Sequence, residues 1–123
     1  MYQIEFNQQD RILTARVKGS WKVADVERYR EEITATLRRL RLSYPTLSIL
    51  ADSREMDLPT KDVAAAFAEI TSSDLIGSSG KVAILVAKML NKLQADRMAD
   101  GPLQKVFFDE SEARAWLSTT SAS

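Results

Sequence analysis

The chain contains neither cysteine nor histidine. The first absence excludes disulfides, thiolate metal sites and thiol nucleophiles, and the second removes the commonest acid–base group and metal ligand, so most hydrolase mechanisms fall away. No charge of one sign dominates: 17 basic and 17 acidic residues cancel. No whole-molecule field therefore favours nucleic acid or an anionic membrane over other partners. Met1 is followed closely by Glu5 and Asp10 with no apolar run of the signal-peptide kind, and no window approaches the roughly 18 to 20 apolar residues of a membrane span. A cytoplasmic protein is the expectation.

What is present suits one domain. A globule of 123 residues buries roughly two-thirds of the surface its unfolded chain exposes, so it needs no metal or disulfide to hold it. Tyr2, Ile4 and Phe6 alternate with polar residues, as do Leu13, Ala15 and Val17. These period-2 patterns predict two half-buried strands joined by the polar loop Asn7-Gln8-Gln9-Asp10 as an antiparallel hairpin, with Gly19 ending the second strand. From residue 23 to 41, Val26, Tyr29, Ile33, Leu37 and Leu40 form one helical stripe. Asp25 and Glu27 at its start and Arg38, Arg39 and Arg41 at its end complement the helix dipole, which accounts for the arginine cluster without nucleic acid.

Tyr44-Pro45 breaks that helix, and residues 46–51 read as a third strand. A second helix is expected over residues 60–73 with Val63, Phe67 and Ile70 as its stripe, then the connector Gly77-Ser78-Ser79-Gly80. The five apolar residues 82–86 suit a strand buried on both faces near the sheet centre. A third helix over residues 88–99 carries Met89, Leu90 and Leu93 and stops at Gly101-Pro102; residues 105–108 form a fifth strand. Asp109 and Glu112 stand in capping-box spacing ahead of a last helix with Ala113, Trp116 and Leu117. The prediction is thus a single-domain α/β fold over residues 1–117: a mixed sheet of about five strands, an antiparallel hairpin followed by parallel βα units with right-handed crossovers, and about four helices. Residues 118–123 are small and polar and are expected to fray as a tail.

Candidate chemistry concentrates in residues 47–60, LSILADSREMDLPT, where an apolar strand runs into a carboxylate-bearing loop that opens a helix. Ligand contacts in α/β proteins gather at such junctions. Asp52, Ser53, Asp57, Thr60 and Lys61 are the candidate partner-binding or switch residues. Thr60 after Pro59 is most simply an N-cap. Asp52 and Asp57 could hold magnesium or serve acid–base chemistry, but solvated or capping roles are favoured, and no catalytic residue, metal or cofactor is assigned. The cations Lys81, Lys88, Lys92, Arg97 and Lys105 read as a solvated face diluted by Asp96 and Asp100, without aromatics interleaved for base stacking, so nucleic acid is not expected. Gly77-Ser78-Ser79-Gly80 leads into a strand and lacks the Gly-Lys-Ser/Thr ending of a phosphate loop. Trp21 is either an exposed contact or, the favoured reading, a plug at the sheet end.

The element order, the glycine after the second strand, the strand ILAD entering a loop before the second helix, and the run KVAILV before a short helix together resemble the SpoIIAA-like family. That family is related to the STAS domains of anti-sigma-factor antagonists. The resemblance spans residues 2–117 and rests on pattern, not on a diagnostic motif. It implies a non-catalytic interaction or regulatory module that binds a protein partner or itself. In the STAS antagonists a serine of an Asp-Ser-Ser-Gly sequence at the start of the second helix accepts a phosphate. The corresponding stretch here is Asp57-Leu58-Pro59-Thr60, which lacks the serine pair and the glycine and leaves Thr60 as the nearest hydroxyl. The family also resembles the SEC14-type lipid-binding fold, which implies as an alternative a carrier of a lipid or small apolar ligand with Phe67, Met89 and Leu93 as contacts. Dimerisation is expected on the open sheet face bearing Gln3, Glu5, Thr14, Arg16 and Lys18.

Overall fold

The computed structural model describes residues 2–71, 80–87 and 104–118. Over these the order is β1 (Tyr2–Asn7), β2 (Ile12–Gly19), α1 (Val23–Arg41), β3 (Ser48–Met56), α2 (Lys61–Thr71), β4 (Val82–Leu85), β5 (Gln104–Phe107) and α3 (Glu110–Ser118). The helix expected over residues 88–99, the connector residues 77–79, the end of the second helix at residues 72–73 and the tail from residue 119 lie outside the described residues.

The strands form one sheet in the order β1-β2-β3-β4-β5. The period-2 patterning of the first two strands pairs them antiparallel, with Ile4 opposite Ala15 and Phe6 opposite Leu13. The loop between them closes with Arg11 at φ 56, its N–H donating to the Asn7 carbonyl at 2.9 Å. From β2 onward every neighbour is parallel, an arrangement that requires a crossover connection and not a tight hairpin between successive strands. The all-apolar β4 lies in the interior between β3 and β5.

Alternation along each strand divides the core between two sheet faces. Leu13, Ala15, Val17, Ile49 and Val82 meet Val26, Tyr29, Ile33 and Leu37 of α1 and Val63, Ala66 and Ile70 of α2. Ile12, Leu50, Ala83, Leu85 and Phe107 meet Ala113 and Leu117 of α3 on the other. Capping follows the sequence cues. The Asp25 carboxylate accepts the Lys22 N–H at 2.9 Å, and Asp109 accepts the N–H groups of Ser111 at 2.7 Å and Glu112 at 3.2 Å, relieving the free amides of each first turn.

Strand β3 departs from expectation. It runs to Met56 and not to residue 51, so Asp52 and Ser53 lie in the strand and not in the loop after it. The register with β2 shifts on the way: Arg16 is opposite Asp52 but Lys18 is opposite Glu55, so β3 carries one residue more than β2 there. The extra residue behaves as a bulge and re-aims the side chains beyond it.

Candidate functional site

The carboxyl ends of the parallel strands form one rim of the sheet, where the turns into α1, α2 and α3 begin. Gly19 ends β2 at φ +75 with open space around the missing side chain. Beyond it the Ser20 hydroxyl donates to the Asp57 carboxylate at 2.6 Å, and the Asp57 N–H donates to the Gly19 carbonyl at 3.0 Å. These two bonds strap the loop after β3 to the turn after β2. Thr60 then caps α2: its hydroxyl accepts the Val63 N–H at 3.4 Å and its carbonyl accepts the Ala64 N–H at 2.9 Å. Lys61, the first residue of α2, is exposed. Apolar side chains also stand in water at this rim: Leu58 is 61% exposed, Val23 42% and Phe108 41%. The other large exposed apolar residue among those described, Leu42 at 86%, lies at the opposite end of α1.

A second constellation sits on the sheet face under α3. Asp52 is only 6% exposed, and an unpaired carboxylate at that depth would be costly. Arg54 meets it as a fork, Nε donating to Oδ1 and Nη2 to Oδ2, each at 2.9 Å, and the Arg54 N–H adds a bond to Oδ1 at 3.1 Å. The Arg16 guanidinium donates to Oδ2 from β2. Glu110, the first residue of α3, joins the same arginines, accepting from Arg54 Nη2 at 2.9 Å and from Arg16 Nη1 at 3.2 Å. Arg114, one turn further along α3, donates to Glu110 at 2.9 Å and lies 4.0 Å from Asp10. The cluster therefore ties β2, β3 and α3 together.

Electrostatics follow from the pairing. Burial alone would push the Asp52 carboxyl up, but hydrogen bonds from the Arg54 side chain and backbone and from Arg16 hold it below the usual aspartate range. Hydrogen bonds from Arg16 and then Arg114 bring Glu110 down to about 2. Reciprocally, Glu110 raises Arg16, and Asp52 raises Arg54. Such carboxylates remain ionised at neutral pH and take up protons poorly, the reverse of a poised general base. Both Asp52 oxygens are already engaged, and among the described residues no group of three or more acids could hold a metal ion together.

No protein-family model matches this chain, and no curated protein sequence matches it. Solved structures do. One is an uncharacterized protein of the DUF3478 family with a SpoIIAA-like fold from Shewanella loihica PV-4, with a TM-score of 0.68 and 22% identity over 95% of this chain and 92% of that one. Another is the anti-sigma factor antagonist SpoIIAA in its unphosphorylated form, with a TM-score of 0.62 and 15% identity over 94% of this chain and 96% of that one. The fold is SpoIIAA-like.

Within this SpoIIAA-like fold the five residues read as one loop separate into two groups. Asp57, Thr60 and Lys61 stay at the rim; Asp52 faces α3, and the Ser53 hydroxyl donates to the Leu85 carbonyl at 2.8 Å, bridging β3 to the end of β4. The sheet face offered for dimerisation narrows as well. Thr14 is buried and Arg16 is held by carboxylates, which leaves Gln3, Glu5 and Lys18 exposed. Trp21 is the plug: buried, its indole N–H donates to the Lys18 carbonyl at 2.9 Å. Its ring lies 5.2 Å from Phe67 and 5.7 Å from Tyr29, so Phe67 belongs to an aromatic cluster at the sheet end; Met89 and Leu93 lie outside the described residues. Of the five cations, Lys81 donates to the Trp116 carbonyl at 3.0 Å and Lys105 sits over the Phe107 ring, while Lys88, Lys92 and Arg97 lie outside the described residues. Among the described residues no helix is long and apolar enough to cross a membrane.

Sequence reasoning did not single out Arg54, Glu110 or Arg114. Their pairing with Arg16 joins Glu110 to a position 94 residues away, beyond any local pattern. One signal was present: Asp52 and Arg54 two apart put opposite charges on one face of a strand.

Proposed function

We propose that this chain is a non-catalytic cytoplasmic interaction module that engages a protein partner through the rim at the carboxyl ends of its parallel strands. The observation that carries the reading is the exposure of Leu58, Val23 and Phe108 along that rim, with Leu58 next in sequence to Asp57, which Ser20 straps in place. Exposed apolar side chains bordered by polar groups suit contact with another molecule, and the strap reduces the ordering cost of binding through this loop. The SpoIIAA-like fold adds support, since one neighbour of the same fold is named an antagonist of an anti-sigma factor. Absence of histidine and cysteine and the saturation of Asp52 by arginines favour recognition over bond-breaking.

Native mass spectrometry of the protein purified from its own cells, beside its Leu58→Glu and Leu42→Glu variants, tests the reading. A co-purifying protein retained by Leu42→Glu and lost at least tenfold by Leu58→Glu is the expected result. Equal retention by both variants would move the contact elsewhere, and a bound apolar small molecule in place of a protein would favour a carrier.

A further inference from the structure

We infer that the outer edge of β1 is a self-association surface, and that two copies of this chain join β1 to β1 in antiparallel register to make one continuous sheet. This deepens the interaction-module reading by naming a second copy as a partner, but it uses a surface separate from the rim. Among the described residues strand β1 is terminal in the sheet and pairs only with β2, so its outer backbone groups form a template for another strand. Natural edges are usually guarded by lysine, proline or a bulge. Here the strand reads YQIEFN with unbroken register against β2, and Glu5 is its single charge. Tyr2, Ile4 and Phe6 pack against the core from this edge yet remain only partly buried. Tyr2 leans on Tyr29 at 5.3 Å and Phe6 on Tyr44 at 4.9 Å, so the apolar stripe is held in place at both ends.

The sequence of the strand selects the partner and the register. A two-fold axis relating antiparallel strands in one sheet stands perpendicular to it and preserves its faces, so each residue must oppose one of the same parity. Two such registers overlap five residues of the strand. Centring on Glu5 would set like charges directly opposite, which destabilises. Centring on Ile4 sets Ile4 opposite its own copy, Tyr2 opposite Phe6, and Gln3 opposite Glu5 twice by symmetry. Each of these is a favourable cross-strand pair. In the free chain the Gln3 amide already donates to Glu5 at 2.6 Å along the same exposed face, so both groups are positioned for exchange. The face is isologous, and closure at two copies leaves no further β1 edge for growth.

Sedimentation equilibrium of the full chain across a wide concentration range, with exposed-face variants that leave the core alone, decides the matter. The wild type is expected to approach twice 13.8 kDa with rising concentration. Gln3→Glu, which opposes two glutamates to two others, should raise the dimer Kd about tenfold, and adding Glu5→Lys to it should restore association. Circular dichroism checks that each variant is folded. A wild type that stays monomeric, a dimer indifferent to Gln3→Glu, or assemblies growing beyond two copies would overturn the inference. Leu58→Glu should leave the dimer unchanged, which separates failure of this surface from failure of the rim.

Discussion

Gly80 and Gly19 both hold left-handed backbone, yet their surroundings differ. At Gly80 φ is +116, and a Cβ would lie 2.7 Å from the Leu47 carbonyl oxygen, a backbone atom that cannot turn aside. That close approach accompanies the bond in which Ile49 N–H donates to the Lys81 carbonyl at 2.9 Å, where β4 docks on β3. Gly80→Ala should therefore cost about 1–3 kcal/mol of stability. Gly19→Ala meets nothing within 4 Å and should cost only about 1 kcal/mol from the backbone conformation. Urea denaturation of both variants, compared at constant slope, checks the order. The glycine punctuation was legible in the sequence; the carbonyl that crowds Gly80 was not, because it comes from the residue that precedes β3, more than thirty positions earlier.

Helix α3 is held from two directions, by Ala113 and Leu117 in the apolar layer and by Glu110 among the arginines. Because the folded Glu110 carboxyl lies near 2, below its ordinary value of 4.5, the unfolded chain binds the proton more readily. Its contribution to stability is then complete above about pH 4.5 and is lost as pH falls toward 2. Asp52, also lowered, acts in the same direction. Thermal melting between pH 6 and pH 2 should show Tm falling through this acid window, and Glu110→Gln should flatten part of the fall while lowering Tm at pH 6. The existence of α3 could be read from the Asp109 cap and the stripe of Ala113 and Leu117. The length of β3 could not, since residues 52–55 look like a polar loop until Arg16 and Arg54 neutralise Asp52 and let the strand continue.

At the scale of the whole sheet, the two faces are unequally supported among the described residues. The described layer under α1 and α2 joins the buried residues of two helices to those of three strands and the Trp21 cluster, whereas the layer under the nine-residue α3 is smaller and leans on ion pairs. Local opening follows the weaker support. Hydrogen exchange should therefore release the amides of α3 before those of β2 and β3, and acidification into the window where Glu110 protonates should widen the gap. Equal protection at pH 3 would mean that apolar packing alone holds the helix. The same two-faced arrangement explains why the candidate loop divided: neighbouring residues of β3 point to opposite layers, so Asp52 went to the α3 side while Asp57, past the bulge, reached the rim.

Hydrophobic periodicity and the placement of glycine, proline and capping acids were sufficient for the kinds and order of the described elements, because those signals act over a few residues. Which carboxylate is neutralised, how far β3 extends and which apolar side chains stay wet at the rim depend on partners brought from distant parts of the chain. Charge pairing and burial are properties of assembled neighbours, and only the folded arrangement supplies them.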